Sequence, residues 1–490
     1  MHQTQTIFIT LLDTMLITLE CILLALQTVA AVRVSLHSPI GIDSQSSNRL
    51  SKRSPVELDG DVNKCFTMKF NVDGVNLGLR VDSDVSDMIV PLPSSSRDVG
   101  LAPESTPNGE PVTIKYRGKE YSGFSSDAVV TIPGTGITGV NLPVIAVEKQ
   151  SPDLVGISPN LDGVFGFAYS SLSKHHPPAT AMDTLYNDGV IPNNEVSLQL
   201  CPYDMTSDSF INIGNTEIAA KCETDGRSIA WVESPTTDRH TVNIKSILIN
   251  GEPVELPAEF QKKVEHGHTL YSVIQTCFIH MYFPRVVVKA LVDAILDSDA
   301  ITVKKTVFSN KLNKKEVKRI FWEYHAMSES GFNIDWGKLP SFTIVMHAQT
   351  PVTDDNSNSV VKITLGPRDY IQKIDYTRLV FAVTTGSNDK AVLGIPFMTH
   401  LAVTFDLQNK RIGLGPGCGC ETMTDGYPII SNGDQVLWPL SQLPEQPSTS
   451  GSDRTSSLRR SLSRLGNTFR GSIRRSIDMM YVRTLGVSNH

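Results

Sequence analysis

Two stretches of this chain, 193 residues apart, follow one plan. VDSDVSDMIVP (81–91) and IQTCFIHMYFP (274–284) align without a gap. Each opens on an apolar residue, then Asp82 or Gln275, then a hydroxyl residue, Ser83 or Thr276. Each closes on an apolar pair and a proline nine residues after the Asp or Gln. An apolar strand that runs into a small polar turn presents the turn residue at its end. Repetition of that unit so far along the chain predicts two related lobes facing each other.

The rest of the chain agrees with a β architecture. Between Cys65 and Cys420 lie short apolar segments such as CFTMKFNV, DAVVTI, VSLQL, FTIVMH and LAVTFDL, punctuated by Gly, Pro, Asn and Asp. That pattern predicts a mostly-β fold of sandwich or barrel type. Within the β-rich part, 178–189 and 284–296 are the best helix candidates, the second with Pro284 at its start and apolar residues at helical spacing. A content of 40% hydrophobic and 19% charged residues excludes a largely disordered chain.

The 490 residues divide by composition. Residues 1–32 hold the apolar run MLITLECILLALQTVAAV, read as a secretory signal or an uncleaved anchor. Residues 33–60 are polar and Ser-rich, with the dibasic pair Lys52-Arg53 as a candidate processing site. The two lobes are assigned to 61–230 and 231–420, followed by a linker (421–453) and a basic Ser/Arg tail (454–490). That tail carries eight Arg against the single acid Asp478, so the net charge of −7 conceals a body near −14. A basic tail on an acidic body points to an anionic partner for the tail alone, and not to nucleic acid. Its apolar residues Leu458, Leu462, Leu465, Phe469, Ile473 and Ile477 recur at helical spacing. Two readings stand: an amphipathic helix on an anionic membrane surface, or a tail that orders only on contact.

Of seven cysteines, Cys21 lies in the N-terminal run. The six others form no CxxC pair, which argues against zinc and, in a secretory chain, for disulfides. Cys65, Cys201, Cys222, Cys418 and Cys420 are the disulfide candidates, and Cys277 is left as either a disulfide or a buried thiol. His266 and His268 have no third ligand nearby in sequence, and GTGITG (134–139) lacks the strand–helix context of a phosphate loop. No metal or cofactor is expected.

With these residues in view, the chain resembles the pepsin-like aspartic peptidases. Their motif [apolar]-D-[ST]-G-[ST]-x-x-x-W-V-P lies over 81–91, and its second D-[ST]-G-[ST] over Gln275–Phe278. DGVFGFAYSSLS (162–173) and VLGIPFMTHLAVTFDLQNKRIGLG (392–415) are similar to two further family segments. Within the family, 191–204, 231–256 and 411–420 resemble the memapsins, or β-secretases. The resemblance implies a bilobal acid-protease fold with a central cleft. It also implies a bridge from Cys201 to Cys418 or Cys420, and a substrate-covering hairpin at 112–132 with Tyr116 as its tyrosine and Gly118 near its turn.

The catalytic pattern itself departs. The family's chemistry needs two carboxylates sharing one proton, one acting as base on water and the other as acid. Asp82 supplies the first; Gln275, an amide, stands at the second. Asp84 and Cys277 replace the glycines that let two backbones meet, and Val85 and Phe278 replace the hydroxyls that bond the carboxylates. Ser83 and Thr276 keep the hydroxyls that, in the family, knit the two loops together. These changes predict a secretory, non-catalytic relative that binds peptide or protein in a residual cleft, extracellular or membrane-associated. The alternatives are an active endopeptidase with a rebuilt dyad, or a structural protein acting through its surface and tail. In this reading Asp84 is a position whose constraint has lapsed.

Overall fold

Two sheets built to one topology carry the repeated loops. In the computed structural model, strand Val75–Asp82 pairs in parallel with Gly163–Gly166. That strand pairs antiparallel with Met88–Pro91, which in turn runs parallel to Val140–Val147. In the other lobe Ser272–Ile274 pairs in parallel with Val392–Leu393. This strand meets Met281–Phe283 antiparallel, and Met281–Phe283 runs parallel to Val383–Thr385. The sequence repeat is thus a structural one, and the architecture is the mostly-β, bilobal pepsin-like fold.

The structure describes residues 33–36, 65–91, 109–116, 118–133, 135–147, 163–200, 209–214, 229–262, 269–304, 309–349, 359–417, 426–433 and 435–437. All fall within Met1–Ser441, one compact unit. The N-terminal apolar run, the Lys52-Arg53 pair, His266, His268, Cys201, Cys222, Cys418, Cys420 and the basic tail lie outside the described residues.

A six-stranded antiparallel sheet joins the lobes. At its centre Glu195–Gln199 of the first lobe pairs with Leu401–Asp406 of the second. Ser197 and Thr404, opposite each other in register, share a hydrogen bond of 2.9 Å between their hydroxyls. All five residues of 195–199 and all six of 401–406 are buried, so both faces of this central pair are covered. One continuous apolar core runs from Phe66 to Leu437 through both lobes.

Both helices expected from spacing form, beside short helical turns at Lys314–Val317, Lys318–Trp322, Pro367–Tyr370 and Ile395–Met398 that spacing did not indicate. Ala181–Asn187 begins on Thr180, whose hydroxyl caps the amide of Asp183 at 3.0 Å. Arg285–Asp297 follows Pro284 and turns Val287, Val288, Leu291, Val292 and Ile295 inward.

Candidate active site

The site is built where the two repeated loops touch. The amide of Ser83 donates to Thr276 Oγ1 and the amide of Thr276 donates to Ser83 Oγ, both at 3.0 Å. Each hydroxyl then donates to a carbonyl of the opposite strand: Ser83 Oγ to Ile274 O at 3.0 Å, Thr276 Oγ1 to Val81 O at 2.8 Å. Both residues are buried, so these four bonds are sheltered from water. The loops meet with Asp84 and Cys277 in place, and neither residue has positive φ, so neither position demands glycine.

Glycine is demanded one layer behind. A Cβ on Gly166 would stand 2.4 Å from Val85 O and 2.6 Å from Asp87 O. A Cβ on Gly394 would stand 2.3 Å from His280 O and 2.4 Å from Phe278 O. These are equivalent places in the two lobes: each strand that backs a loop presses its bare backbone against the loop's carbonyls.

Asp82 ends its strand with its carboxylate buried and occupied. Oδ1 accepts the amide of Asp84 at 2.9 Å, and Oδ2 accepts the phenol of Tyr116 at 3.1 Å. Tyr116 arrives on a hairpin, Pro111–Tyr116 paired with Lys119–Thr131. Strict alternation along 111–116 turns Val112, Ile114 and Tyr116 to the inner face, and Gly118 takes φ +76° at the turn. With Ile89, Ile145 and Tyr121, that face makes a small apolar cluster of its own. The tyrosine ring is 4% exposed, so the hairpin lies shut over Asp82.

Gln275 occupies the place opposite. Its backbone amide is held by Leu393 O at 2.9 Å, and it is 8% exposed. Its Oε1 is buried with no hydrogen-bond partner among the described residues. An amide neither takes nor gives a proton at useful pH, so this position has nothing to share with Asp82.

Asp84 is engaged by a charged partner. Its Oδ1 lies 2.8 Å from Nε of Arg239, a charge contact whose N–H does not point at the oxygen. Burial pushes the Asp84 carboxyl above its usual range. The Arg239 guanidinium opposes that, the Asp82 charge adds to it, and the Gln275 amide again opposes it. The Asp84 carboxylate is thus engaged by the Arg239 guanidinium.

Arg239 belongs to a short segment that sequence reasoning passed over. Asp238 O accepts the amide of Tyr169 at 3.3 Å, and His240 O accepts the amide of Ile274 at 3.0 Å. The His240 ring is fully enclosed by Phe167, Tyr169 and Phe405, with centroids at 5.5, 5.0 and 4.6 Å. Its Nε2 bonds Phe167 O at 2.9 Å, which fixes the proton on that nitrogen. Desolvation lowers its pKa to about 4. Three consecutive residues thus brace both loops from behind. The available signal was their place inside 231–256, quoted above only for its resemblance.

Cys277 forms a disulfide with Cys65, its Cα 4.6 Å away. The question left open for Cys277 is thereby answered, and the partner of Cys65 is one that the spacing did not indicate. Both cysteines are buried. The bond joins the chain at the head of the first lobe to the glycine position of the second loop, and Tyr116 Oη lies 3.8 Å from Cys277 Sγ.

Paired strand-end loops, crossed hydroxyls and a hairpin closing over them define the site of an acid-protease-type protein. A model of the eukaryotic aspartyl protease family matches residues 102–417, beginning after the Asp82 loop. The chain belongs to that family. Among the described residues no group of three or more His, Cys, Asp or Glu is placed to hold a metal ion.

Proposed function

We propose that this protein is a memapsin-like member of its family that has given up peptide hydrolysis and binds peptide or protein in the cleft. The observation that carries this reading is the neighbourhood of Asp82. Its two oxygens accept from Asp84 and Tyr116, while the partner position holds an amide. A dyad titrates as a unit, and one carboxylate does not do half its work. The hydroxyls lost at Val85 and Phe278 remove further support for a charged dyad, and the Cys65–Cys277 bond ties down the second loop. Retention of the grip between Ser83 and Thr276 beside these losses fits selection for the fold and its cleft.

A ligand enters by lifting the hairpin, exchanging the Tyr116–Asp82 bond for contacts of its own. A buried disulfide suits the secretory pathway or the extracellular space. Among the described residues no helix is long and apolar enough to cross a membrane.

The competing reading is an active endopeptidase in which Asp84 replaces the missing acid. Its support is the raised Asp84 pKa beside Asp82, and the Arg239 contact weighs against it. Incubation of the purified protein with a broad peptide library between about pH 3 and pH 7, spanning the upper titration of such a dyad near about 4.7, separates the two. The proposal expects no cleavage and saturable peptide binding. Cleavage that disappears with Asp82→Ala and with a pepstatin-type inhibitor establishes the competing reading.

A further inference from the structure

The second lobe carries a cavity lined by the helix that follows the second repeated unit and by the segment after it. It is about 480 Å³ in volume, inside the range of roughly 300–1,000 Å³ that small-molecule sites occupy. Its floor is Ile295, from the last turn of helix Arg285–Asp297, with Ile301 from the strand that follows. Leu296, Leu312, Val317 and Trp322 form half-buried walls. The wall bearing Val317 and Trp322 is a one-turn helix, Lys314–Val317, that continues as a π-helical turn, Lys318–Trp322. The wider π turn is an uncommon conformation that recurs at functional sites.

The rim is cationic. Lys311, Lys314 and Lys318 stand at the mouth, all exposed, against one acid, Asp299. Asp299 is paired with Lys311, and Lys318 with Glu323 at 2.8 Å, which leaves Lys314 without an ion pair among the described residues. Arg285 lies over the Trp322 ring, its guanidinium carbon 5.4 Å from the centroid. The sequence makes the same point. Residues 301–322 hold Lys304, Lys305, Lys311, Lys314, Lys315, Lys318 and Arg319 against Glu316 alone, in a chain whose net charge is −7.

We infer that this cavity is a binding site for a single-chain anionic amphiphile of the fatty-acid type. The aliphatic chain lies on Ile295, Leu312 and Val317, and the carboxylate sits at Lys314 and Lys318. Charge complementarity selects the head group, and the apolar interior selects the tail. A basic patch that served only a membrane surface or an acidic peptide would not require a cavity behind it. The site is independent of the cleft and of whether Asp82 is catalytic.

The test titrates the intact protein with dodecanoate below its micelle concentration by calorimetry, beside dodecyltrimethylammonium and anionic phospholipid vesicles. A bromine-bearing dodecanoate serves as a tryptophan quencher. Saturable one-to-one binding of dodecanoate is expected. Weakening of about tenfold is expected for the cationic analogue and for the exposed charge reversal Lys314→Glu with Lys318→Glu, the scale of losing rim charge contacts. Quenching by the brominated acid should be lost in Trp322→Phe. Equal binding of both head groups unaffected by the charge reversal, quenching that survives Trp322→Phe, or binding to vesicles without saturable uptake of dodecanoate each overturns the inference.

Discussion

Ser83 and Thr276 each donate a backbone amide to the other's hydroxyl at 3.0 Å, and so fasten two lobes through residues 193 apart. Removing one hydroxyl strands a buried amide and a buried carbonyl of the partner strand. Ser83→Ala and Thr276→Val should each cost about 1–3 kcal/mol, the penalty for buried groups left unbonded. Because both residues belong to one hydrogen-bonded contact, the double variant should depart from the sum by about 0.5–3 kcal/mol. Urea unfolding of the four proteins of this cycle measures the coupling; strict additivity would contradict the reciprocal arrangement.

The Cys65–Cys277 bond closes a loop with a sequence separation of 212. On chain-entropy grounds a loop of that size contributes about 5 kcal/mol. Non-reducing digestion should yield one cross-linked peptide pair containing both residues. The double variant Cys65→Ala with Cys277→Ala should unfold at markedly lower denaturant. Recovery of Cys277 as a free thiol from the folded protein would refute the pairing.

Tyr116→Phe keeps the ring in its cluster with Ile89, Val112 and Ile114 but deletes the donor to Asp82. A bond to a charged acceptor contributes about 1.5–3 kcal/mol, and its loss should fall on the hairpin before it reaches the core. Hydrogen exchange should accelerate in 111–131 while 195–199 and 401–406 keep their protection. Unchanged exchange in the hairpin would show that packing alone holds it shut.

His240 sets a pH dependence whose sign follows from its burial. Its folded pKa is lowered from 6.5 to about 4, so the unfolded chain takes up the proton first. Stability is therefore whole above pH 6.5 and falls as pH drops toward about 4. The loss over that window is about 3 kcal/mol from this residue. His240→Phe should flatten this part of the stability profile, measured by thermal or urea unfolding at a series of pH values. A profile that keeps its slope in the variant would assign the effect to other groups.

Gapless repetition of a strand-and-turn unit made the two lobes legible before any coordinates, since period-two apolar segments and their spacing are local properties of the chain. The same alignment placed Gln275 opposite Asp82. Side-chain chemistry at that position is fixed by identity alone: an amide cannot share a proton wherever the fold puts it. Tertiary structure decided what surrounds that pair. Cys65 finds Cys277, Arg239 finds Asp84 and Tyr116 closes on Asp82 across separations of 212, 155 and 34 residues. No local preference encodes such pairings. They follow from the crossing of two sheets and a hairpin at one point, which only the packed chain specifies.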